Sequence, residues 1–153
     1  MRAHPSRSVQ YYTLCILLLS DRSCHGRARI VSKFRDAELE YLTSGRRLGR
    51  IATVGRDGTP HVVPVGWSYE PASDSIEVGG FELAKTKKFR DAQATGRAAI
   101  VVDDLASVDP WRPRGVEIRG RAHVVVEPTA VIRIEPERIV SWGLEPERHA
   151  RDV

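Results

Sequence analysis

The stretch that most constrains this chain runs from Gly49 to Tyr69, GRIATVGRDGTPHVVPVGWSY. It contains Asp57-Gly58, a pair suited to a tight hairpin because glycine takes positive φ without a Cβ clash. Before the turn, Ile51, Thr53 and Gly55 alternate with Ala52 and Val54. After it, His61, Val63 and Val65 alternate with Val62, Pro64 and Gly66. A period of two is the strand signature. One hairpin cannot bury its own apolar face in water, so further strands must close around it. Pro60 and Pro64 have no N–H to give a ladder, which places them at a strand start, an edge or a bulge.

The rest of the chain supplies those strands. Ser75 to Gly79, Arg97 to Val102, Val116 to Glu127, Val131 to Glu135 and Arg138 to Trp142 read as short strands, with Gly120 marking a bulge or a close approach. Pro128 and Pro136 turn the chain, Asp103 to Gly115 reads as a charged loop, and His149 onward reads as a frayed tail. Two segments have helical character. Ser32 to Ser44 places Asp36, Glu38 and Glu40 near its start and an apolar face of Phe34, Ala37, Tyr41 and Leu42. Lys85 to Ala94 follows, stopped by Gly96. Six or seven strands, two helices and no repeating β-α-β unit predict an all-β fold, a closed antiparallel barrel with peripheral helices.

Charge narrows the partners. Of 24 Lys and Arg and 20 Asp and Glu, five arginines and one aspartate fall within residues 1–30, so the remainder of the chain is formally neutral. That balance, with no aromatic residues interleaved along a basic stripe, argues against a nucleic-acid partner. Both cysteines, Cys15 and Cys24, also lie in the first 30 residues, and His61, His123 and His149 lack metal-ligand spacing. No metal is expected.

The apolar run Val9 to Leu19 is too short to span a bilayer, and no membrane partner is expected. It resembles the core of an export signal, but the residues after it, Ser20-Asp21-Arg22-Ser23-Cys24, do not form a small-x-small cleavage site. Val31 opens VSKFRDAELEYL in the manner of a natural start. Residues 1–30 are therefore expected to be a disordered extension or a mis-assigned start, and residues 31–153 a single barrel domain.

Two groups of residues could carry chemistry. Lys85-Thr86-Lys87-Lys88 and Arg90 open the second helix, where free N–H groups and cationic side chains suit a phosphate; a solvent-facing cationic helix fits the same pattern. Trp111-Arg112-Pro113-Arg114-Gly115, with Arg119 and Arg121, could clamp an anion through guanidinium forks, or pair with nearby Asp103, Asp104, Asp109 and Glu117. His61 is read as a partly exposed strand residue ahead of the alternative, a proton donor or ligand contact. There is no nucleophile elbow, carboxylate pair or Gly-rich dinucleotide fingerprint, so no catalytic side chain is assigned.

Three tracts carry a resemblance. LGRIATVGRDGTPHVVPV from Leu48, AKTKKFRD from Ala84 and PRGVEIRGRA from Pro113 resemble the pyridoxamine 5'-phosphate oxidase-like split β-barrel proteins, most nearly the branch that uses the deazaflavin F420 in place of FMN. The resemblance implies a cytoplasmic homodimer with cofactor sites at the subunit interface and a small-molecule substrate. It implies that Lys85, with Thr86, grips cofactor phosphate, and that the strand Val62, Val63, Pro64 and Val65 lies against the ring system. It further implies that Arg50, Lys87 and Lys88 contact phosphate or an acidic tail. The activity implied is hydride transfer between reduced deazaflavin and a small conjugated acceptor. FMN in the same fold, or a non-catalytic cofactor or heme carrier, are the alternatives.

Overall fold

The computed structural model describes residues 31–153. The expectations for residues 1–30 lie outside the described residues. About half of the described residues belong to one antiparallel sheet, which is flanked by two helices. The strands are β1 Gly49–Val54, β2 Pro60–Val65, β3 Trp67–Glu70, β4 Ser75–Val78, β5 Arg97–Ser107, β6 Arg112–Val125, β7 Val131–Trp142 and β8 His149–Asp152. The helices are α1 Asp36–Thr43 and α2 Lys87–Thr95, the latter preceded by a 3-10 turn, Leu83–Lys85.

The strands run in the order β2-β1-β5-β6-β7-β4-β3, with β8 pairing beside the second half of β7. The all-β barrel with peripheral helices is as expected, in the split form that the resemblance implies: β2 and β3 end the ladder without pairing to each other. The core is a layer of alternate side chains, Ile51, Ile100, Val102, Val116, Ile118, Ile132, Ile134 and Ile139, all fully buried. Each such side chain contributes about 1.5–3 kcal/mol of transfer free energy. Phe89 and Ala92 of α2 bury against the same core, and Gly96 ends that helix with φ +65.

Four local expectations are corrected. Ser32 to Arg35 is not helical, because Asp74 takes its donors: Ser32 Oγ at 2.7 Å and the Lys33 N–H at 2.6 Å. Helix α1 instead starts at Asp36, where the Glu38 carboxylate accepts the Arg35 N–H at 2.9 Å. Asp103 to Gly115 is not a loop but the far end of the β5–β6 hairpin, paired from Asp103↔Gly115 to Ser107↔Arg112. Its charges are matched in space, since Asp104 accepts from Arg47 Nε at 2.7 Å and from Arg114 Nε at 2.6 Å.

Pro136 does not divide the chain into two strands. Strand β7 passes through it at a bulge, where the register shifts between Arg119 and Gly120 and Pro136 faces Gly120. A Cβ on Gly120 would lie 1.8 Å from the Glu135 carbonyl oxygen, so the close approach predicted for this glycine is real.

His149 onward is no frayed tail. It is a strand held by Arg151, which reaches the fully buried carboxylate of Glu38 on α1 at 2.6 and 2.8 Å. Ser141 Oγ adds a third side-chain donor to Glu38 at 2.8 Å. These donors, Arg151 foremost, hold the Glu38 carboxyl below the ordinary range against the opposing effect of burial, the largest single influence on it.

Candidate functional site

The opening hairpin has two distinct faces. Pairing sets Gly49 opposite Val65, Ile51 opposite Val63 and Thr53 opposite His61 on the core side. Arg50 opposite Pro64, Ala52 opposite Val62 and Val54 opposite Pro60 share the outer side. The tract Val62–Val65 is thus divided: Val62 and Pro64 are exposed, Val65 is buried and Val63 packs against the core. Arg50 lies on the outer side with Val62 and Pro64, its guanidinium engaged by Asp103.

The N–H of Gly55 donates to the Thr59 carbonyl at 3.0 Å, which fixes the phase of the ladder. Thr53/His61, Ile51/Val63 and Gly49/Val65 are then the hydrogen-bonded pairs. The backbone groups of Pro60, Val62 and Pro64 consequently face the open edge of the sheet. Both prolines place their missing N–H on that open side, where no ladder partner is lost. What remains is an edge with a single donor, the Val62 N–H, between carbonyl acceptors.

Beyond Gly66 the chain enters β3, the other edge. Trp67 donates its indole N–H to the Arg47 carbonyl at 2.9 Å. It packs over Gly49, where a Cβ would come within 2.8 Å of the ring. Gly66, Trp67, Ser68, Glu77, Gly79 and Gly80 line a cleft of about 350 Å³. Its one carboxylate, Glu77, is held by Arg133 at 2.6 Å. A Cβ built on Gly66 or Gly79 meets nothing within 4 Å, so the glycines leave the approach open.

Five residues after Gly80 comes the lysine tract. Lys85 ends the 3-10 turn with its side chain 76% exposed, paired only with the neighbouring Glu82 carboxylate. Thr86, rather than Lys85, starts the helix: its Oγ1 accepts the Phe89 N–H at 3.4 Å as the N-cap. The first N–H groups of α2, those of Lys87 and Lys88, have no intrahelical acceptor.

Lys87 turns away from Lys85. Its ammonium reaches Asp91 at 2.7 Å and lies close to Gly55 at the hairpin turn. Asp91 is buried and also accepts from Thr53 Oγ1 at 3.2 Å; the Lys87 hydrogen bond is the main reason its carboxyl titrates below the ordinary range. His61 stands opposite Thr53 with a buried Nδ1 that has no hydrogen-bond partner among the described residues. Lys88 is half-buried on the same turn.

The second candidate group resolves into ion pairs. Arg114 binds Asp104 through two nitrogens, at 2.6 and 3.1 Å, and Arg119 binds Glu117 at 2.8 and 2.9 Å. Arg121 lies 3.6 Å from both Glu135 and Glu137. Arg47 and Arg114 also flank the Tyr41 ring, at 4.1 and 5.3 Å from its centroid. Burial, and then the Asp104 carboxylate, push the Tyr41 phenol up to about 12. Of the arginines that looked like a second anion clamp, Arg114 therefore ties the far end of the β5–β6 hairpin to Tyr41 of α1, while Arg119 and Arg121 pair with glutamates on β6 and β7. Sequence reasoning missed Phe81 and Glu82 beside Lys85; the only signal there was the Gly79-Gly80 pair.

Over residues 35–151 the chain matches a known family model, pyridoxamine 5'-phosphate oxidase. The chain belongs to the pyridoxamine 5'-phosphate oxidase family. A characterised relative is the 5a,11a-dehydrotetracycline/5a,11a-dehydrooxytetracycline reductase of Streptomyces rimosus, 38% identical over 135 residues, 78% of this chain and 93% of that protein. Among solved structures, the fold resembles a heme binding protein from Mycobacterium smegmatis (TM-score 0.61, 15% identity, 80% of this chain, 60% of that one). It also resembles an F420 reductase (TM-score 0.51, 21% identity, 65% of this chain, 94% of that one). These two likenesses speak to fold alone. Among the described residues no helix is long and apolar enough to cross a membrane.

Proposed function

We propose that this protein is a cytoplasmic, homodimeric F420-dependent reductase that acts on a small conjugated acceptor, with a polycyclic enone as the first class to test. The observation that carries the reading is the exposed Lys85, five residues along the chain from a glycine-lined cleft whose other wall, Gly66, follows the open β2 edge. The dehydrotetracycline reductase relative supports the redox class and the acceptor chemistry.

The residues fit a phosphate-bearing ring cofactor. Lys85, Thr86 and the first N–H groups of α2 suit the phosphate. The Val62 N–H with the carbonyls of Pro60, Val62 and Pro64 suits a planar ring edge that both donates and accepts. Arg50 and Lys88 are suited to an acidic tail, whereas Lys87 is already committed to Asp91. When bound, reduced deazaflavin supplies the hydride equivalent. The chain supplies binding, orientation and exclusion of water, and no covalent side-chain participant is required. Solvent suffices as the proton source.

The test is a side-by-side titration of the protein with F420 and FMN, followed by anaerobic oxidation of reduced F420 in the presence of enones. Tight F420 binding, weak FMN binding and acceptor-dependent oxidation are expected. Preference for FMN would move the protein to the flavin-dependent alternative. Binding of heme with no turnover would replace the enzyme by a carrier.

A further inference from the structure

Between β4 and Lys85 the chain reads Gly79-Gly80-Phe81-Glu82, and this strap has four unusual properties. Phe81 is 92% exposed, more than any other large apolar side chain among the described residues. Such a ring in water forgoes the burial that phenylalanine ordinarily gains. Glu82 has φ +46, in the left-handed region that non-glycine residues seldom occupy. Gly80 has φ +154, and a Cβ on Gly79 would meet nothing within 4 Å, so the strap is joined to β4 by two unencumbered glycines. Finally, Glu82 occupies the Lys85 ammonium, with both side chains half or more exposed.

The strap also has a definite place. Gly79 and Gly80 line the cleft that ends at Gly66, the residue following the β2 edge. Phe81 is the next residue in the chain, and the 3-10 turn that carries Lys85 begins two residues later. An aromatic ring in water, on a strap that runs from the cleft to the turn carrying the exposed Lys85 pair, is placed to serve a molecule that has both a planar ring and a phosphate.

We propose that Phe81 is a stacking residue for the planar ring of the phosphate-bearing cofactor, and that Glu82 is a placeholder on Lys85 which the cofactor phosphate displaces. This rests on the cofactor reading above. An exposed ion pair is a weak interaction, so a phosphate that also accepts from the Lys87 and Lys88 N–H groups outcompetes the single carboxylate. Loss of the pair frees Glu82 from its left-handed conformation, and the two glycines let the strap seat Phe81 against the ring. Stacking is indifferent to ring substituents, whereas the Lys85 exchange demands the phosphate, so together they select for both parts of one ligand.

Two substitutions with opposite signs test this. Both positions are exposed, and unchanged thermal unfolding is expected for each variant. Phe81→Ala should raise the Kd for F420 or FMN about tenfold, with Phe81→Leu in between, while competition by inorganic phosphate is unchanged. Glu82→Gln should lower the Kd for inorganic phosphate about threefold. The stacking assignment is overturned if Phe81→Ala leaves ring-cofactor affinity within about twofold, or if its main effect is on oligomeric state by sedimentation. The placeholder is overturned if Glu82→Gln leaves phosphate affinity unchanged or weakens it. Wild-type protein that binds neither F420 nor FMN overturns the cofactor reading and this proposal together; wild-type binding with an indifferent Phe81→Ala overturns only the stacking.

Discussion

Two pairs of one glutamate and one cation stand at different places in this molecule and do opposite things. Glu38 and Arg151 meet beneath α1, where the carboxylate is fully buried and takes hydrogen bonds from Arg151, Ser141 and the Arg35 N–H. Glu82 and Lys85 meet in water, three residues apart, with nothing else bound to either side chain among the described residues. The first pair has no spare valence and closes the structure. The second is loosely held and its cation is available. Saturation, more than charge, separates the two pairs.

The comparison breaks most visibly through Arg151→Ala. Removing the arginine leaves Glu38 buried and undercompensated, and should cost about 3 kcal/mol in a urea titration. Glu82→Ala should stay within about 0.5 kcal/mol of wild type in the same titration. Equal losses from the two variants would abolish the distinction.

Next in size, Lys85→Ala should weaken F420 binding by about 1.5–3 kcal/mol, the scale of a charge-assisted hydrogen bond, with unfolding unchanged. Unaltered affinity by calorimetry would remove Lys85 from the site. The smallest effect concerns pH. The Tyr41 phenol is raised from its ordinary value near 10 to about 12 in the folded state, so its contribution is full below pH 10 and is lost as pH rises toward 12. Tyr41→Phe should therefore show a flatter decline in stability over that window than wild type. A steeper decline would mean that the phenol does not sit in the network of Asp104, Arg47 and Arg114.

Much of the fold was legible because it rests on local pattern. The Asp57-Gly58 turn, the alternation either side of it, and the need to put Pro60 and Pro64 where a missing N–H does no harm are all written in adjacent residues. Gly120 was readable for the same reason, as a glycine interrupting a strand of otherwise regular parity. What could not be read depends on partners distant in sequence. Asp103 to Gly115 resembles a loop until Asp104 finds Arg47 and Arg114. His149–Asp152 is too short to announce itself as a strand, and only Glu38, more than a hundred residues away, explains Arg151. At the candidate site, Lys85 and Thr86 could be found by motif, but Lys87 could not be told from them until Asp91 was seen to hold it. Glu82 and Phe81 left no mark in the sequence, because exposure and a left-handed backbone are properties of the folded chain.

The disposition of Pro60 and Pro64 has a further consequence, in the life of the newly made chain. A chain fresh from synthesis displays this bare strand to every other polypeptide around it. With one N–H between two prolines, that margin offers a stray β-segment almost nothing to zip against. The same economy of donors therefore guards the folded chain against improper strand pairing without needing a charge or a covering loop on that edge.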